Sequence, residues 1–219
     1  MRFVAAAVLL ASTIAGVASP AVAVVIGGLA NTGAGFAIGT NGIDSNWTLL
    51  GGPAYVSGTN GVFPVQTNWL ADTATSRWIT PTSNAGDSLD PVANDNYAYM
   101  LNFSLAGFNP ATASFFGQFA ADNLVTSILL NGNVLAASGG GFSSWANFGA
   151  NSGFVAGSNT LTFNVTNFGQ LSGNPSGLRV EFTESNVSMV PEPQNWAMLI
   201  AGFGLIGAAA RRSRMAMAA

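Results

Sequence analysis

Period-two alternation is the feature that most narrows what this chain can fold into. Over residues 97–105, Tyr97, Tyr99, Leu101, Phe103 and Leu105 hold one set of positions, and Asn102 and Ser104 fall in the other. Successive strand side chains point to opposite faces, so this spacing predicts a strand with one buried and one partly wet face. Leu161, Phe163 and Val165 alternate with Thr162, Asn164 and Thr166, and Leu178, Val180 and Phe182 with Arg179, Glu181 and Thr183. Ala113, Phe115 and Phe119 mark a more apolar strand, and residues 124–130 run into Asn131-Gly132, a pair that favours a type I′ hairpin turn. Positions 27–61 are rich in Gly and read as turns between short strands, although residues 24–40 also suit a disordered linker. No internal segment carries helical periodicity, so the predicted class is all-β, an antiparallel β-sandwich.

Both ends of the chain stand apart from this pattern. Met1-Arg2 gives a positive start, residues 3–17 are almost wholly apolar, and Ala21-Val22-Ala23 offers the small residues a signal peptidase reads. Residues 1–23 therefore read as a secretory signal peptide, with the mature chain starting at Val24. The predicted division is a β-sandwich over 24–186, a linker over 187–195, a transmembrane helix over 196–210 and a basic cytoplasmic tail over 211–219. The mature part is large enough for one well-filled core.

Composition removes whole classes of chemistry. There is no Cys and no His, and all six basic residues are Arg, so neither disulfides nor a nucleophile activated by His or Lys is available. Between Val24 and Met189 two arginines stand against eight carboxylates, a net of minus six. Such a domain repels phosphate backbones, which argues against nucleic acid as a partner.

The C-terminal stretch has three parts with separate physical roles. Val190-Pro191-Glu192-Pro193 interrupts regular structure, and an uncharged apolar run then begins at Trp196. Arg211, Arg212 and Arg214 follow it, a cluster that stays cytoplasmic by the positive-inside rule. At about 1.5 Å per residue the run covers roughly two-thirds of a ~30 Å hydrocarbon core, a marginal span. Small residues at Ala197, Ala201, Gly204 and Ala208 suit close approach by another membrane helix. Residues 190–214 closely resemble the PEP-CTERM sorting signal of Gram-negative bacteria, in the variant with Trp-Ala-Met-Leu-Ile after the motif. The resemblance implies recognition and cleavage near Pro-Glu-Pro by an exosortase, with membrane attachment before processing. The chain departs from the pattern in carrying five residues beyond Arg214. An ordinary membrane anchor is the other reading.

Ala120-Ala121-Asp122-Asn123, then Leu130-Asn131-Gly132, residues 154–161 and residues 175–180 resemble the galactose-binding-domain type of jelly roll. That resemblance spans 46–183 and implies a fold more directly than a ligand.

Candidate sites follow from residue type. Trp145, carried beside Gly139-Gly140-Gly141, is the foremost platform for a sugar ring, with Phe142, Trp69, Asp122 and Asn123 as companions, while Trp78 reads as core. Asp87, Asp90 and Asp95 cluster in a turn-rich loop that could hold a structural calcium ion, although Asp also caps turns by bonding nearby amides. Glu181 and Glu184 point to opposite faces of one strand, which leaves a cross-strand pair of Asp122 with Glu181 as the remaining route to glycoside hydrolysis. The expectation is a non-catalytic exported protein of the cell surface or biofilm matrix, in contact with extracellular polysaccharide. The alternatives are an exported glycan-acting hydrolase and a self-associating structural matrix protein.

Overall fold

The computed structural model describes residues 23–57, 62–190 and 193–216. Residues 1–22, which hold most of the expected signal peptide, lie outside the described residues, as do Pro191 and Glu192. By their contacts the residues form two compact units, Val22–Val190 and a second that contains the C-terminal helix.

The first unit is all-β. Its strands are β1 (Ala23–Val24), β2 (Gly42–Leu49), β3 (Gly52–Val56), β4 (Ile79–Thr80), β5 (Asp95–Ser104), β6 (Phe108–Asp122), β7 (Leu124–Leu130), β8 (Asn133–Leu135), β9 (Ala146–Ala150), β10 (Ser158–Asn167) and β11 (Gly177–Met189). They join in the order β8-β7-β10-β5-β2-β3-β4-β11-β6-β9, with β1 on β11, and every strand pairing among the described residues is antiparallel.

The path folds back on itself. Phe163 of β10 meets Phe119 of β6 at 5.7 Å and Phe148 of β9 at 5.1 Å between ring centroids, so strands distant along the path face each other across one core. Register follows the alternation. Leu161 pairs with Leu101 and Phe163 with Tyr99, all buried, while on the opposite face the Thr160 hydroxyl bonds Asn102 Oδ1 at 2.7 Å. Asn131 and Gly132 take φ of 53° and 81°, the two positive values that a type I′ turn needs, and they link β7 to β8.

The turn reading prevails over the linker alternative at the N-terminal end, and two other sequence expectations shift. Residues 25–41 are turns packed on the domain: Ile26 is buried, and the Thr32 hydroxyl donates to the Arg77 carbonyl at 2.6 Å and accepts from the Val180 amide at 3.0 Å. β11 runs past the expected domain boundary at 186, because Val187 is buried and pairs with Val24. Arg179, expected on the wet face of its strand, is 1% exposed. The loop that carries residues 71–76 bonds this guanidinium from above, so both faces of β11 are covered there.

The helix α1 (Pro193–Ala216) starts earlier and ends later than the expected 196–210. Pro193 fits its first turn, where a backbone N–H has no intrahelical partner in any case, and Ala, Leu and Met sustain it. Met198, Ile200, Phe203 and Leu205 are exposed, as are Arg211 and Arg212. Among the described residues no helix is long and apolar enough to cross a membrane.

Candidate functional site

A cleft forms where the chain leaves β6 and enters β7. Asp122 closes β6 opposite Gly177, and Asn123 carries the chain across through a cis Asp122-Asn123 peptide bond. The crossing is held on all sides. The Asn123 amide donates to the Thr166 carbonyl at 3.2 Å, Asn123 Oδ1 accepts from the Phe168 amide at 2.6 Å, and the Ser176 hydroxyl donates to the Asp122 carbonyl at 2.9 Å.

Trp69 supplies the inner wall. Its amide bonds the Pro64 carbonyl at 2.9 Å, its ring lies 4.3 Å from that of Trp78, and its indole N–H donates to Asp122 Oδ2 at 2.7 Å. Gly177 is required for this approach, since a Cβ there would stand 2.8 Å from the Trp69 ring. The resulting cleft has a volume of about 200 Å³ and is lined by Phe63, Pro64, Asn68, Trp69, Asp122, Asn123, Phe142, Gln170, Gly173, Asn174 and Pro175. Phe63 and Phe142 keep 42% and 36% of their surface exposed, enough to offer flat apolar contact. Asn174 braces the far wall by donating to the Leu89 and Phe168 carbonyls at 2.7 and 2.9 Å.

Asp122 is the chemically distinctive group. It is 5% exposed, one carboxylate oxygen is held by Trp69, and Oδ1 is buried without a hydrogen-bond partner. Burial raises its pKa to about 6, with the Trp69 indole pulling the other way. A larger groove of about 650 Å³ runs past Val25, Phe116 and Glu184, but it contains none of the buried unpartnered polar atoms. The smaller cleft is therefore the better candidate.

The raised pKa has a stability consequence. Between the ordinary carboxylate value of 3.8 and about 6, folded Asp122 holds a proton that the unfolded chain releases. The folded state binds more protons in that window, so this group lowers stability as pH rises through it, by about 3 kcal/mol in total, with no further loss above. Asp122→Asn should be more stable than wild type at pH 7 by about that amount, with the gain gone at pH 4. Urea unfolding of both proteins at the two pH values measures this; a gain independent of pH would contradict it.

Of the residues expected from sequence to hold a ligand, Trp69, Phe142, Asp122 and Asn123 line this one cleft. Trp145 does not line it. It sits just before β9, as a loop residue, and its ring face is covered by the Arg179 guanidinium at 4.8 Å from the centroid, so a cation already occupies the place expected for a sugar. Trp78, expected in the core, is fully buried.

Asp87, Asp90 and Asp95 serve separate bonds. Asp87 accepts from Asn84, Asp90 from the Tyr97 hydroxyl and Asn167, and Asp95 from the Asn96 amide. Among the described residues no group of three or more His, Cys, Asp or Glu side chains gathers for a metal. Nor do Asp122 and Glu181 meet. Glu181 pairs with Gln118, four positions along β6 from Asp122, a run of about 13 Å where glycosidase carboxylates stand about 5–9.5 Å apart. Its oxygens accept from Ser76 at 2.6 Å and Gln118 at 2.8 Å.

Of the expected sorting motif, Val190 is exposed and its amide bonds the Gly107 carbonyl at 3.0 Å. Pro193, Trp196 and Arg214 belong to α1, with side chains outside the described residues. Sequence reasoning missed Phe63, Asn68, Gln170 and Asn174, which sit on irregular segments without periodicity. Comparison with known proteins finds no match: no family model, no curated protein and no solved structure matches the chain.

Proposed function

We propose that this chain is an exported, non-catalytic protein of the bacterial cell surface or extracellular matrix, whose β domain holds one sugar unit of an extracellular polysaccharide in the Asp122 cleft. The observation that carries this is the lining of the cleft. A buried carboxylate oxygen without a partner stands among neutral amides and two partly exposed phenyl rings, the mixture of oriented polar groups and flat apolar surface that small-molecule sites use. A volume of about 200 Å³ lies below the ~300–1,000 Å³ of sites for drug-sized ligands, so it suits a single ring, at a chain end or branch.

The domain is read as a jelly roll of the galactose-binding type, on the strength of the Ala-Asp-Asn crossing and the Leu-Asn-Gly hairpin. The C-terminal segment is read as a PEP-CTERM sorting signal, on the order of Pro-Glu-Pro, apolar run and arginines. In support, the exposed apolar side chains of α1 would be covered by lipid and an exosortase until cleavage releases the domain. A hydrolase would need a second carboxylic residue near Asp122, and none of the described residues that line the cleft supplies one. Among the described strands, association through sheet edges would have to use β1, β8 or β9, of two, three and five residues, which offer short templates.

The test is retention of the full chain, purified in mild detergent, on immobilised exopolysaccharide from the producing cells. Saturable binding is expected, weakened roughly fivefold to tenfold by Phe142→Ala. Absence of binding by the folded chain, or release of sugar from the polymer, would overturn the proposal.

A further inference from the structure

The charges around the cleft narrow the sugar it takes. Among the described residues, Asp122 Oδ2 is engaged by the Trp69 indole and Oδ1 by nothing, and no arginine lines the cleft. Both arginines of the β domain are 1% exposed and committed elsewhere, Arg77 to Asp72 and the Ser57 carbonyl, Arg179 to Ser76, Thr73 and Glu181. An ionised carboxylate at 5% exposure without a counter-ion is costly, and a ligand that brings a cation relieves the cost. A sugar hydroxyl would offer this carboxylate one neutral hydrogen bond. An ammonium would add charge attraction in a poorly solvated site, where such bonds are roughly twice as strong as neutral ones.

The outer surface points the same way. With both arginines buried, the charged side chains that the β domain shows to solvent are carboxylates, Asp95 and Glu184 among them. That field draws cationic polymers in and holds uronic acid or sulfated polymers off. We infer that the cleft takes an amino sugar, its protonated amine drawn to the Asp122 carboxylate, with Asn68, Asn123 and Gln170 facing the hydroxyls and Phe63 and Phe142 the ring. This rests on the carbohydrate reading above and specifies its ligand class.

Binding should then follow the ionisation of Asp122. Among the described residues, none of the elements around it brings a second titratable group to the cleft: Phe63, Pro64, Asn68 and Trp69 on one side, Phe142 on another, and Gln170, Gly173, Asn174 and Pro175 on the third are all uncharged. An acid beside those walls, Asp90, has its carbonyl accepting from the Gln170 amide at 3.1 Å and its carboxylate taken by Tyr97 and Asn167. With half-ionisation at about pH 6, affinity for an amine that stays protonated should rise roughly tenfold from pH 5 to pH 7, and less for one that begins to lose its proton by pH 7.

The experiment is calorimetric titration of the full chain in mild detergent with glucosamine trimer, its N-acetylated counterpart, a neutral glucose trimer and a hexuronic acid trimer, at pH 5 and 7. Glucosamine trimer should bind at least tenfold more tightly than the other three at pH 7. Asp122→Asn, checked as folded by circular dichroism, should lose that preference and its pH dependence, and Glu184→Gln should stay within twofold of wild type. Equal or tighter binding of the acetylated, neutral or acidic trimer would overturn the amino-sugar inference and leave the carbohydrate reading standing. So would an equal loss in Glu184→Gln, which would assign the preference to surface charge. Failure of every trimer and of the producer's own polysaccharide to bind would overturn both.

Discussion

Replacing Arg179 with alanine is expected to remove about 3–5 kcal/mol from the stability of the β domain, the range for breaking a buried ion pair from one side. The guanidinium ties β11 to the segment that precedes β4. Nε donates to Ser76 Oγ at 2.6 Å, Nη2 to Thr73 Oγ1 at 3.1 Å and to Glu181 at 3.3 Å, Nη1 to the Ala71 carbonyl, and its plane covers Trp145. Alanine would strand these acceptors and leave Glu181 without its cation. Asp72 is exposed to the same loss, since burial already raises its pKa while Arg77 and Arg179 pull it down. Lysine should recover little, because a single ammonium cannot reach acceptors that a planar fork spans. The urea midpoint should fall at unchanged slope, and Trp145 fluorescence should change with it. A loss below about 1 kcal/mol would mean the network is peripheral.

Phe163→Ala should cost a similar amount, about 3–5 kcal/mol, by a different route. Phe163 is fully buried on β10 and its ring meets Trp47 of β2 at 5.8 Å, Phe119 of β6 at 5.7 Å and Phe148 of β9 at 5.1 Å. Truncation removes one side of three aromatic pairs and opens a cavity that strands locked by ladder bonds on both sides cannot close. Phe116→Ala is the matched control, since that ring is 52% exposed on β6 and its loss should cost under about 1 kcal/mol. Comparable losses in the two variants would contradict a core centred on Phe163.

What the sequence revealed depended on whether a residue's surroundings were local. Alternation located β5, β6 and β10, and Asn131-Gly132 located the hairpin, because both signals lie within a few consecutive residues. Trp69, Phe142, Asp122 and Asn123 could be named as ligand candidates from turn chemistry and residue type, and they line one cleft. The partners Phe63, Asn68, Gln170 and Asn174 could not, since each belongs to an irregular segment brought in by tertiary folding. Arg179 misled for a related reason. Period two assigns a residue to one face of a strand, but it does not report that a loop covers that face. Trp145 was rightly placed on a loop, and nothing local indicated that a residue 34 positions later would lie across its ring. In β11 the alternation also breaks at the register shift between Phe182 and Glu184, which hid the strand's continuation to Met189.

Export followed by loss of the C-terminal segment is the central claim, and the intact mass of the protein recovered outside the producing cells tests it most directly. A species that starts at Val24, ends within residues 190–196 and lacks Arg211, Arg212 and Arg214 is the expected result. Recovery of the chain only inside the cell, at a mass that retains both apolar ends, would contradict it.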